Sequence, residues 1–360
     1  MALSNLFFPK KTLITIDMGS RYLKAAQFKM VDRKPVLTHF EMTPVPAQAM
    51  DKSTLIDSQL VQAQLKHLLY KQVQYTSKCK VILGIGGSAI VTRKLSVIKS
   101  DHISVKKENI RFEASQHLPF DIEQTEYVTI DLPRMEDDDP NMDSVFLIAM
   151  QNKDLNTYNI CTHDIAVQTD VVFPSLLSLQ YILSKNYNQL ERSDYVLVLD
   201  IGFQTTGFYV IRNFHVVFSR DLFTGTQSYL QEIQRRLGVN YDEAQNLLDT
   251  VCKGESVPDE AMEIIQNHNS VVAQEISTGM EYFFNYFSKA VISKVCVTGG
   301  GRNVPGLQSE ISQRMQSDIE NLQVFRNIQT KGFSKKKLTD LHSFAGTCVG
   351  LALSQIVSRR

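Results

Sequence analysis

Residues 12–28, "TLITIDMGSRYLKAAQF", decide how the rest of the chain is read. An apolar run ends on Asp17, one residue and Gly19, then Ser20, and a second apolar run carries Lys24. Strands of a buried sheet rarely end on an aspartate and a glycine for packing reasons alone. The turn is therefore either an ordinary glycine hairpin or a strand that ends at a phosphate. Residues 195–211, "YVLVLDIGFQTTGFYVI", repeat the design with Asp200, Gly202, Thr205 and Thr206. Asp17 and Asp200 are 183 residues apart, the difference of their numbers and about half of the 360-residue chain. Self-similarity at that offset marks an internal duplication. It predicts two lobes, each contributing one phosphate-binding turn.

The chemistry of such turns is specific. Glycine has no Cβ, so a phosphate oxygen can come close to successive backbone N–H groups. Ser20, Thr205 and Thr206 add hydroxyl donors. Asp17 and Asp200 are expected to hold Mg²⁺ through its water ligands, because Mg²⁺ dehydrates reluctantly. Lys24 reads either as a phosphate ligand or as a solvated strand lysine. A third element, "VCVTGGGRNVPGL" at residues 295–307, is a strand, a glycine turn and a helix delayed by Pro305. Strand–glycine–helix lets backbone lie flat against a base or phosphate near a helix N-terminus. Gly299, Gly300, Gly301 and Asn303 complete the candidate set. One hairpin from each lobe would grip the phosphates from opposite sides, with nucleotide in the cleft between them.

Composition narrows the class. Lys plus Arg and Asp plus Glu are both 38, so no net field gathers nucleic acid or anionic membrane, and no nucleic-acid partner is expected. Five cysteines (Cys79, Cys161, Cys252, Cys296, Cys348) are widely spaced with no C-x-x-C, which fits reduced thiols in a cytoplasmic protein. "LSNLFFPKK" at residues 3–11 is too short an apolar stretch for export or spanning, and no stretch approaches about 18 uninterrupted apolar residues. A soluble protein with no direct membrane insertion is expected. Eight histidines show no metal-binding spacing, so no metal beyond Mg²⁺ is assigned. "EDDDP" (136–140) reads as a solvated turn, "KKK" (335–337) as a solvated loop, and "EYFFNYF" (281–287) as core.

Along the chain, strands alternate with helices in both halves, which gives an α/β class with mixed sheets. The first lobe is expected over 1–190, with an inserted subdomain at about 76–166, and the second over 191–360. A helix is expected over 53–72 with Ser53 as N-cap, and two strands around Gly86-Gly87. A long helix is expected over about 259–290, and a final one from 340.

Two Asp-x-Gly hairpins plus a late Gly-Gly-Gly turn resemble the actin-like (ASKHA) ATPase superfamily. "VILGIGGSAIVTRKLSV", "IRFEASQHLPFDIEQTEYVTIDL" and "FLIAMQNKDLNTYN" look like the inserted subdomain of the type IV pilus assembly protein PilM family. "FSRDLFTGTQSYLQEIQRRLGVNYDEAQ" and "VFRNI" fit the same family, over about residues 11–353. The resemblance implies an actin-like fold, ATP with Mg²⁺, and a scaffold docking the N-terminal cytoplasmic tail of the inner-membrane protein PilN. Through PilN it implies links to PilO and to the pilus assembly ATPase or platform protein, at the inner face of the inner membrane. FtsA-like cell-division proteins share the three nucleotide motifs but match "RFEASQHLPFDIEQ" less well. An active actin-fold ATPase or kinase is the other alternative. Relatives sometimes carry a carboxylate where Phe173 stands, and often Glu and Lys where Gln245 and Leu248 stand. Binding is thus better supported than turnover, and no catalytic residue is assigned.

Overall fold

A computed structural model describes residues 12–357 except 33, 47, 53 and 135–138. The readings of residues 3–11, of Ser53 as a cap and of the acidic run at 136–138 lie outside the described residues. The chain opens with β1 (Thr12–Met18), β2 (Tyr22–Val31) and β3 (Lys34–Pro44), then the short β4 (Met50–Asp51) and β5 (Thr54–Leu55), α1 (Ser58–His67) and β6 (Lys80–Ile85). Next come β7 (Ile90–Ile98), α2 (Ile103–His117), β8 (Thr125–Asp131), β9 (Met142–Gln151) and α3 (Asn152–His163). β10 (Val171–Pro174) and α4 (Ser178–Asn186) follow.

The second half repeats the plan. β11 (Tyr195–Ile201), β12 (Thr206–Arg212) and β13 (His215–Leu222) precede α5 (Thr226–Leu237), α6 (Tyr241–Cys252) and α7 (Asp259–Tyr286). Then come β14 (Ile292–Thr298), α8 (Leu307–Met315), β15 (Ile319–Asn321), β16 (Gln329–Thr330), α9 (Lys335–Leu341) and α10 (Gly346–Val357). The first sheet runs β10-β6-β1-β2-β3-β16 and the second β15-β14-β11-β12-β13. In both, an antiparallel three-strand meander meets a parallel strand beside its first member. That shared order is the structural form of the duplication.

β1 is buried along nearly its whole length, as expected of a central strand covered on both faces. Alternation sends Ile14 and Ile16 into a core with Val61 and Leu65 of α1, and Leu13 into a core with Leu179 of α4 and Leu351 of α10. The turns follow local chemistry. Asn240 and Glu243 form a reciprocal capping box at the start of α6.

Several expectations change. α1 starts at Ser58 with Asp57 as its cap, because Thr54 and Leu55 are used in a strand pairing with Met50 and Asp51. β6 belongs to the first-lobe sheet, so the separate three-stranded sheet β7-β9-β8 begins at Ile90, later than 76. The chain recrosses near its end: β16 pairs with β3, and α10 packs on β1 and α4. The reason is burial, since Val349, Leu351, Ala352 and Leu353 need the face of the first sheet. Gly350 allows the approach, as a Cβ there would overlap the Ser178 carbonyl. The final helical stretch is two helices, and Lys335–Lys337 open α9 behind a Ser334 cap instead of forming a loop. In residues 281–287, Phe283 and Phe287 are core, whereas Tyr282 and Tyr286 are exposed. Among the described residues no helix is long and apolar enough to cross a membrane.

Candidate functional site

The ends of β1 and β11 face each other across a cavity of about 190 Å³ between the two sheets. Ten of the twelve expected residues line it: Asp17, Gly19, Ser20 and Lys24 from the first hairpin, Asp200, Gly202 and Thr205 from the second, and Gly299, Gly300 and Asn303 from the third turn. Thr206 and Gly301 do not. The Thr206 hydroxyl is buried and donates to the Thr224 carbonyl at 2.8 Å, and Gly301 packs beneath Ile201.

The first hairpin pairs Asp17 directly opposite Lys24, with Nζ 2.8 Å from Oδ2. Burial would lower the Lys24 pKa, but the charge and hydrogen bond of Asp17, with the charge of Asp200, raise it. Lys24 is thus a charged group of the cleft floor, and the solvated-strand reading is set aside. In the second hairpin the position opposite Asp200 is Gly207. Without a lysine across the ladder, the Asp200 carboxyl is pushed up to about 6, mainly by burial, with Lys24 opposing and Asp17 adding.

The third turn closes over Asp200. Gly299 has φ +85°, and a Cβ there would overlap the Ile201 carbonyl and lie 2.6 Å from Asp200 Oδ1. Only glycine accepts that conformation and that approach together. Asn303 Oδ1 accepts from the Ser343 hydroxyl at 3.0 Å, and the Phe344 ring, edge-on to Tyr22 with centroids 6.1 Å apart, walls the same cavity.

Sequence reasoning missed the contacts that join the halves. Arg21 Nη2 donates to both carboxylate oxygens of Asp249 on α6, at 2.7 and 2.8 Å. Gln245 donates to the same carboxylate at 2.8 Å, and the Arg21 guanidinium lies 5.7 Å from the Phe203 ring centre. The Gln204 N–H donates to Ser20 Oγ at 3.4 Å. Gln245 thereby orients Asp249, and Leu248 is a buried wall of the cleft. Phe173 sits opposite Gly84 in β10 and packs near Tyr181, so no carboxylate enters from that strand. Tyr209 and Asp221 also line the cavity. Their signal was register, since Asp200, Gly207 and Asp221 are consecutive partners across three strands. No disulfide joins any of the five cysteines; burial pushes the thiols of Cys161, Cys296 and Cys348 up to about 12, so these three are not poised as nucleophiles.

Glycine turns, a buried lysine and hydroxyls from both sides make a cradle for a polyphosphate. Asp17 and Asp200 fit a hydrated Mg²⁺ better than a bare ion. Among the described residues no group of three acidic, histidine or cysteine side chains could hold a metal, and one Asp17 oxygen already accepts from Lys24.

A family model described as "Type IV pilus assembly protein PilM" matches residues 15–356. Among solved structures, the chain is similar to a "PilM-PilN type IV pilus biogenesis complex", with TM-score 0.82 and 18% identity over 96% of this chain and 98% of that one. It is also similar to the ethanolamine utilization protein EutJ from Carboxydothermus hydrogenoformans, with TM-score 0.56 and 12% identity over 97% and 91% of the two chains. MreB 5 of Spiroplasma citri bound to AMPPNP gives TM-score 0.51 and 10% identity over 97% of each. At these identities the likeness is one of fold, and that fold is actin-like.

Proposed function

Because the chain belongs to the type IV pilus assembly protein PilM family, we propose that it is a scaffold of pilus assembly that binds Mg-ATP between its lobes and docks the N-terminal cytoplasmic tail of PilN. The observation that carries the nucleotide half is the convergence of three glycine turns on Asp17, Lys24 and Asp200 in one cleft. MreB 5, of similar fold, is bound to AMPPNP. Asp17 and Asp200 would hold Mg²⁺ through its waters. Bound Mg²⁺ would supply charge neutralisation for the terminal phosphates.

The tail half is supported by the similar PilM-PilN complex and by a strand edge that has no ladder partner among the described residues. β7 pairs with β9 on one side, and its other side approaches β13, where Thr92 Oγ1 and Ser219 Oγ are 2.8 Å apart. A second cavity of about 250 Å³ lies there, bordered by Gly87, Ile90, Leu176 and Phe223. An extended tail gains affinity from backbone pairing with such an edge and from a few apolar anchors. Through PilN the protein would sit at the inner face of the inner membrane, linked indirectly to PilO and to the assembly ATPase or platform protein. Because the same walls border both cavities, nucleotide should tighten tail binding, a coupling of about 1–3 kcal/mol. Calorimetry with a synthetic PilN N-terminal peptide, with and without Mg-ATP, tests this. Peptide affinity indifferent to nucleotide would remove the coupling, and no binding at all would remove the partner.

A further inference from the structure

The duplication isolates one residue that neither phosphate binding nor packing explains. Asp17 faces Lys24 across β1–β2, and at the equivalent places of the second lobe Asp200 faces Gly207. One strand further out, Met42 lies beside Lys24, whereas Asp221 lies beside Gly207. The second lobe thus carries a carboxylate where its repeat carries a methionine. Burial, and then the charge of Asp200, push that carboxyl up to about 6, against a Tyr209 hydrogen bond that favours the ionised form. An acid kept there costs stability that packing does not return.

Gly207 makes room for its support. A Cβ at that position would overlap the Tyr209 hydroxyl, so the phenol oxygen rests over the glycine and donates to Asp221. Tyr209 and Asp221, with Gly86 and Gly87, form the wall shared by the cleft and the second cavity. Ser175 lines the cleft as well, and its buried hydroxyl has no hydrogen-bond partner among the described residues. Asp221 lies two strands out from Asp200. Its backbone is two strand spacings, roughly 10 Å, from that of Asp200, and among the described residues no acidic trio could hold a metal.

We propose that Asp221, oriented by Tyr209, is the catalytic carboxylate that aims a water at the terminal phosphate of a bound nucleoside triphosphate, a role the first lobe cannot fill with Phe173. This rests on the cleft being a nucleotide site. The step is a displacement: a water lone pair forms a bond to the γ-phosphorus as the bond from that atom to the β–γ bridging oxygen breaks. The electron pair leaves on the nucleoside diphosphate, and the water proton passes to Asp221 and on to solvent. Tyr209 acts through Asp221 and is a positioning residue.

The test compares single-turnover phosphate release from ATP with equilibrium binding of AMPPNP, for the unmodified protein, Asp221→Asn and Tyr209→Phe. Asparagine keeps the shape and still accepts the Tyr209 hydrogen bond, so the fold should hold; a melting curve of the nucleotide-free protein checks it. Asp221→Asn should slow release about a hundredfold and Tyr209→Phe by less, while AMPPNP affinity stays level or tightens severalfold as a negative charge leaves the terminal phosphate. Affinity that falls in step with rate would make Asp221 a ligand of nucleotide or cation and overturn the assignment. Equal rates in the Asn variant and the unmodified protein, or no release from the latter, overturn it too. If AMPPNP binds neither, the nucleotide reading itself fails, and this inference with it.

Discussion

Replacing Arg21 by methionine removes the ion pair that spans the cleft and keeps most of the side chain's volume. Asp249 then keeps the Gln245 hydrogen bond. One nitrogen, Nη2, bridges both carboxylate oxygens at 2.7 and 2.8 Å, and charge-assisted bonds reach about 1.5–3 kcal/mol when enclosed. The side chains are 21% and 37% exposed, however, and pairs open to solvent give roughly 0–1 kcal/mol. A coupling of about 1 kcal/mol is the reasoned value, or about fivefold in an equilibrium constant. Because Arg21 and Asp249 sit on opposite lobes, the loss should appear as faster escape of bound nucleotide. The assay is stopped-flow dissociation of a fluorescent ATP analogue from the unmodified protein, Arg21→Met, Asp249→Asn and the double variant. Each single change should raise the off-rate about fivefold and the double change little further. High salt should narrow the difference. Multiplying effects in the double variant, or off-rates that do not move, would refute a clasp between the lobes.

Three further outcomes follow from the same geometry. Gly299→Ala demands a positive φ of alanine and drives its Cβ into the Ile201 carbonyl. It should cost roughly 2 kcal/mol or more and weaken Mg-ATP at least about tenfold, read by melting and calorimetry; an unchanged affinity would detach the third turn from the site. Thr206→Val should cost about 1 kcal/mol of stability by orphaning the Thr224 carbonyl and leave nucleotide affinity alone; a large affinity loss would return Thr206 to the phosphate set. Asp200 and Asp221 are both raised from 3.8 to about 6. Their protonated forms therefore favour the nucleotide-free fold fully below about pH 4, and that support is lost as pH rises through 6. Denaturant titrations should show Asp221→Asn gaining about 1–3 kcal/mol on the unmodified protein between pH 4 and 7; a difference flat in pH would contradict the shift.

The two hairpins and the glycine turn were legible because their signals are local. An aspartate and a glycine at the end of an apolar run announce a strand that stops at a cleft, and the repeat announces the two-lobed plan. What pairs across strands or lobes was not legible. Arg21 and Asp249 are separated by 228 residues, and nothing near either announces the other. Asp221 needed the register of three strands, which a Gly-to-Tyr substitution of space conceals: Tyr209 reaches back over Gly207 to hold it. Thr206 looked like its neighbour Thr205, yet strand alternation turns its hydroxyl into the core. The return of α10 to the first sheet was hidden because an apolar helix names no partner in its own sequence. Lys335–Lys337 looked like loop because the helix they open is only seven residues long.

The claim on which everything else stands is that the cleft between the lobes holds Mg-ATP. Thermal melting of the purified chain with increasing Mg-ATP tests it most directly, since a ligand of the native state stabilises by mass action, about 2.7 kcal/mol at a hundredfold excess over Kd. The midpoint should climb with Mg-ATP, climb less when Mg²⁺ is chelated, and stay nearly flat in Asp200→Ala. A midpoint that does not move at millimolar Mg-ATP, or that moves equally in Asp200→Ala, would contradict it.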